Sequence, residues 1–150
     1  MQRSAIFSVA AVVLSAGIVM AQSVATISKG DASEQDTARQ VTARTAAEWQ
    51  AVWNAHAPNT KPPAVDLSTK MVVGVFLGTK PSTGYEVEIV NTKEDAGALV
   101  VSYVLRQPKR GELSAQILTQ PYHLVAVARH ADPVRFVQVA DSVNPPVAAP

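Results

Sequence analysis

The chain has no cysteine among its 150 residues. That excludes a disulfide framework, a thiolate nucleophile and an acylated cysteine at an amino terminus. Charge of either sign is not in excess, with 13 Lys and Arg against 12 Asp and Glu. A nucleic-acid or anionic-membrane partner would call for a basic stripe, so neither is expected. Histidine is scarce, and its three copies do not form a ligand set: His123 and His130 are separated by an odd offset along one strand and its turn, which points them to opposite faces, and His56 is on another element. Glycine is sparse too, and Gly78 and Gly84 precede a strand rather than a helix, so no phosphate-cradling loop is present. No Gly-x-Ser-x-Gly elbow occurs. Glu86 and Glu88 share a strand face, but it is the wet one. These absences point away from catalysis, and neither a metal nor a cofactor is expected. A triad gathered from distant residues is left for the tertiary structure to test.

What is present begins with a three-part leader. Arg3 precedes an apolar run over residues 5–20, and small residues lead to Ala21. This layout predicts a cleaved secretory signal peptide over residues 1–21, cut after Ala21. The run is about 16 residues, shorter than the roughly 20 of a spanning helix, and Ser4, Ser8, Ser15 and Gly17 dilute it. The expected product is a periplasmic or secreted protein without a membrane anchor. Losing Arg3 leaves bases and acids equal. Residues 22–143 are expected to form one domain, large enough to bury about two thirds of its unfolded surface. Residues 144–150, rich in proline and alanine, are expected to be a disordered tail.

Within that domain, residues 24–28 and 39–44 read as short strands. Thr45 with Glu48 three residues on is a capping box, and Trp49, Val52, Trp53 and His56 follow at helical spacing. Both tryptophans are expected to dock the helix on a sheet. His56, near the carboxyl end, is expected to interact with the helix dipole. Pro58, Pro62 and Pro63 end the helix.

Residues 71–89 organise the rest: an apolar strand over 72–77, a sharp turn on Pro81 and Gly84, and a strand in which Tyr85, Val87 and Ile89 alternate with Glu86 and Glu88. Further strands are predicted over 99–105, 114–128 with an interruption at Pro121, and 134–139. The order predicts an α+β domain with one amino-terminal helix packed on a mostly antiparallel sheet of about five to seven strands. An Ig-like β-sandwich is the alternative, since several strands are apolar on both sides. If the strands form a meander, the 79–84 turn and the 107–112 loop share one end of the sheet. Rigid proline and glycine turns lose little entropy on docking, which favours recognition of a protein partner there.

Two resemblances centre on this turn. Phe76, Leu77, Gly78, Thr79, Lys80, Pro81, Ser82, Thr83, Gly84 and Tyr85, followed by the run from Ala115 through Gln120, Pro121, Tyr122, His123, Leu124 and Val125, resemble the carboxy-terminal domain of the PrcB family of exported bacterial proteins. The family often has Thr-Gly-Gly-Tyr where this chain has Ser82, Thr83, Gly84 and Tyr85, and its named member is a lipoprotein. The resemblance implies association with a protease as an accessory or stabilising subunit. Pro81 to Tyr85 is also similar to the Pro-Thr-Thr-Gly-Tyr loop of chagasin-type cysteine protease inhibitors, with Gln120, Pro121 and Tyr122 similar to their Arg-Pro-Trp loop. That likeness implies direct inhibition as the alternative. The expected partner-binding residues are therefore Thr79, Lys80, Pro81, Ser82, Thr83, Gly84, Tyr85, Gln120, Pro121 and Tyr122.

Overall fold

The computed structural model of the protein describes residues 22–142. The predicted signal peptide and the predicted tail lie outside the described residues. Among those described, the order is β1 (Ala25–Gly30), β2 (Arg39–Ala43), α1 (Ala46–His56), β3 (Lys70–Phe76), β4 (Glu86–Asp95), β5 (Ala98–Arg106), β6 (Tyr122–Ala128) and β7 (Val134–Gln138). The strands divide between two sheets. One has the order β1-β6-β3-β2 and the other β4-β5-β7. All pairings are antiparallel except β5 with β7, which is parallel.

The single sheet expected from the sequence is thus corrected to two sheets with one helix outside them. β3 shows why both expected architectures contain part of the answer. Its side chains alternate, with Met71, Val73 and Val75 entering a core shared with Val87, Ile89, Leu99 and Val101 of the other sheet. Val72 and Phe76 point the opposite way, into a second core with Trp49 and Trp53 of α1. A strand covered on both faces must be apolar at successive positions, as 71–76 is. β6 repeats the pattern, with Val125 and Val127 between the sheets and Tyr122 and Leu124 under the helix. Gly74 is where β3 cannot carry a side chain: an added Cβ would lie 2.4 Å from Leu124 Cδ2 and 3.0 Å from Val41 Cγ2.

The helix starts as its sequence dictates. The Thr45 hydroxyl accepts from the Glu48 amide, and the Glu48 carboxylate accepts from the Thr45 amide. The tryptophans dock by apolar burial and by their indole N–H groups, which donate to Pro63 O and Thr60 Oγ1, both at 3.0 Å. The proline-rich connection is thereby wrapped onto the helix it ends. His56 departs from expectation. It is buried among the rings of Trp53, Phe76 and Tyr122, and burial pushes its pKa down. The ring is therefore neutral at neutral pH, and a charge–dipole interaction is not its role.

The sheets are joined along the β1 and β4 edges. The Gln22 amide donates to Thr92 O, and Lys29 of β1 pairs with Glu86 and Glu88 of β4. Between them, His123 of β6 reaches across the core. Its Nδ1 accepts from the Ile89 amide, and its Nε2 lies against Thr26 Oγ1, both at 2.8 Å. Because a backbone amide can only donate, Nδ1 is the bare nitrogen and Nε2 carries the proton.

Candidate functional site

The connection from β3 to β4 is no hairpin. β3 and β4 belong to different sheets, so residues 77–85 carry the chain from one to the other. Gly78 begins the crossing with φ +69°, pressed so closely on the loop between β1 and β2 that an added Cβ would sit 2.6 Å from Asp36 O. Only glycine meets both demands. The next residue is held by the same loop, since the Thr79 amide donates to Asp36 O and its hydroxyl to Asp36 Oδ1.

From Lys80 onward the turn is fastened to residues 115–119. Lys80 and Thr119 exchange backbone hydrogen bonds of 2.7 and 3.0 Å. The buried Thr119 hydroxyl donates to Ser82 O at 2.9 Å. Thr83 closes the set: its amide donates to Ala115 O, and its hydroxyl accepts from the Ala115 amide. Gly84, with φ +93°, lies against Pro108, whose Cγ would be 2.8 Å from an added Cβ. The 79–84 turn and the 107–112 loop are therefore neighbours. Lys80 Nζ sits 5.7 Å from the centre of the Tyr85 ring, within cation–π range.

These contacts sort the sequence-selected residues. Thr79, Pro81 and Gly84 are exposed; Lys80, Thr83 and Tyr85 are half-buried; Ser82 is buried. Gln120 is half-buried, and its amide donates to Asp31 O. Pro121 and Tyr122 run beside the turn, since the Leu77 amide donates to Pro121 O. They do not share its surface: both are buried, and Tyr122 places its ring 4.1 Å from His56 and its hydroxyl 2.8 Å from Ser28 Oγ. The expectation that they add contact area is corrected accordingly, because Pro121 leads into β6 and Tyr122 begins it, both buried. A strand expected from residue 114 begins only at Tyr122. In residues 107–121 the backbone bonds to the turn instead, which leaves Leu113, Ile117 and Leu118 exposed. Sequence reasoning missed Ile117 and Leu118 because an Ile-Leu pair ahead of a proline reads as strand, and Leu113 fell between the predicted loop and that strand.

Other polar groups are drawn into structural contacts. Arg106 bonds Glu88 and Asp141, both at 2.6 Å, and lies beside Glu86. Its hydrogen bond holds the Glu88 carboxyl below the usual range. His130 pairs with Glu94. His56 Nδ1 lies 2.8 Å from Ser33 Oγ at the edge of an open depression that Asn59, Thr60 and Gln120 also line. That serine oxygen also accepts the Gln35 amide, as a turn-forming serine does. The pair ties the loop after β1 to the end of α1. Among the described residues, no group of three or more His, Asp or Glu side chains is placed to hold a metal ion.

A family model described as PrcB C-terminal matches residues 71–128. Over these residues the chain is similar to the PrcB C-terminal family. The PrcB segment runs from β3 through β6 and so contains both the 79–85 turn and the 107–121 loop that is fastened to it. It supplies the strands on both sides of the inter-sheet core, while α1 and the outer strands β1, β2 and β7 flank it. No curated protein and no solved structure matches the chain.

Proposed function

We propose that this chain is an exported, non-catalytic protein-binding domain that serves as an accessory or stabilising partner of an envelope or secreted protease. The observation that carries the reading is the 79–85 turn. It is pinned to three neighbouring segments, glycine-dependent at both ends, and lies within the PrcB segment. A turn already fixed in one conformation gives up little entropy on binding. The family name points the same way, being that of an accessory subunit of a protease complex rather than of a catalytic one. Thr79, Pro81 and Gly84 form the contact, with Lys80 and Thr83 behind them.

The inhibitor reading is not carried forward, because its second wedge would need Pro121 and Tyr122 at a loop tip, and both are buried. For the leading reading, tagged chain is recovered from the native envelope with and without the pair Thr79→Ala and Pro81→Ala. The expected result is loss of a co-purifying protease from the variant. An unchanged set of co-purifying proteins would refute the assignment of the turn.

A further inference from the structure

Five large apolar side chains are exposed among the described residues, and three of them lie within six positions of one loop: Leu113 at 101 %, Ile117 at 58 % and Leu118 at 71 %. A lone exposed leucine is ordinary, whereas a cluster marks a contact surface. The loop is anchored at its base, where Ala115 bonds Thr83, Thr119 bonds Lys80 and the Gln120 amide donates to Asp31 O. The three aliphatic side chains are exposed in the same loop as the exposed Lys109 and Arg110, and Lys80 is bonded to Thr119. The nearby acids are partly engaged: Glu112 accepts from the Lys109 amide, and Asp36 accepts from the Thr79 hydroxyl.

The composition of this loop selects its partner. Protein-binding hot spots are rich in Trp and Tyr, with leucine under-represented, and residues 107–121 contain no aromatic side chain. Aliphatic side chains flanked by lysine and arginine are what sink into the headgroup boundary of a bilayer, where the cations meet anionic lipid. We propose that the 107–118 loop inserts Leu113, Ile117 and Leu118 into the interface of a membrane carrying anionic headgroups, holding this end of the domain against the lipid. The sequence alone predicted no membrane partner, because its bases are scattered along the chain. The fold brings the turn that carries Lys80 against the loop that carries Lys109 and Arg110, through Gly84 on Pro108 and Lys80 on Thr119.

Vesicle sedimentation tests the proposal, using chain that begins at Gln22 so that the apolar run over residues 5–20 does not contribute. Vesicles of phosphatidylethanolamine with phosphatidylglycerol are compared with phosphatidylcholine alone. Weak, reversible binding to the anionic vesicles is expected, reduced at least about tenfold by L113S/I117S/L118S. K80Q/K109Q/R110Q is expected to remove the preference for anionic lipid and the salt dependence. All six positions lie at the surface or half-buried, so circular dichroism and the urea midpoint should hold and show that loss of binding is not loss of fold. No sedimentation with either vesicle at low ionic strength would overturn the proposal, as would undiminished binding of the triple serine variant. Self-association abolished by that variant would also overturn it, reassigning the loop to contacts between copies. Neither vesicle result depends on a protease, so this proposal and the protein-partner reading can fail separately.

Discussion

Acidification should weaken the fold through His123 before it affects the carboxylates. This ring is 2 % exposed, its Nδ1 accepts the Ile89 amide and its Nε2 lies against Thr26. Protonating Nδ1 would set two N–H donors head to head in place of a 2.8 Å hydrogen bond. Burial, with a smaller contribution from Lys29, lowers its pKa from 6.5 to about 4, against the opposing pull of Glu88 and Glu86. The unfolded chain therefore takes up a proton near pH 6.5 that the folded chain refuses until about 4. Between those values the unfolded state holds more protons, so stability rises with pH. The contribution is complete above the unfolded pKa and is lost as pH falls toward the folded one. A lowering of this size corresponds to about 3 kcal/mol, and His56 adds to it in the same direction. Urea unfolding followed by the fluorescence of Trp49 and Trp53, at steps from about pH 7.5 down to about pH 4.5, measures the slope. His123→Asn keeps an acceptor for the Ile89 amide but does not titrate, so its stability should fall less steeply over this range. Parallel wild-type and variant curves would refute the reasoning, as would a measured His123 pKa above 6.5. Glu48, Asp66 and Glu88, all held low by hydrogen bonds, give way mainly below this window.

Two substitutions test how the turn is held, and thermal unfolding reads both. Gly78→Ala would force a Cβ onto the Asp36 carbonyl at positive φ, and a loss of about 2–4 kcal/mol is expected; a change under about 0.5 kcal/mol would show that the crossing is not tight. Thr119→Val keeps shape but leaves Ser82 O without its buried donor, which should cost about 1–3 kcal/mol. If the turn is the protein contact, this variant should also weaken partner recovery while α1 and the inter-sheet core stay intact.

Local features were legible where neighbours in sequence decide them. The Thr45–Glu48 capping box needs only one helical turn, and the tryptophan stripe needs only helical periodicity. Almost continuous apolar character over 72–77 told that this strand is covered twice, and β3 is covered by α1 on one side and the second sheet on the other. Pro81 and Gly84 marked a sharp turn, and Gly84 does lie beside the 107–112 loop, though the expected meander is not the cause. The functional half of the site was less legible. Ile117 and Leu118 carry strand-like chemistry, and nothing in their immediate sequence says that Thr83 and Lys80 will take the backbone bonds a strand would use.

The sequence by itself determined the helix and its start, which strands have one or two apolar faces, and which residues make the turn. These follow from capping, periodicity and backbone sterics, all of which act over a few residues. Only the tertiary structure decided that β3 and β4 part into different sheets, that β7 joins β5 in parallel, and that His123 bridges the two layers. Strand partnership depends on register between segments tens of residues apart, and it is settled by which pairing buries both faces of β3 and β6 together. The same global choice turned Pro121 and Tyr122 inward and left Leu113, Ile117 and Leu118 outside.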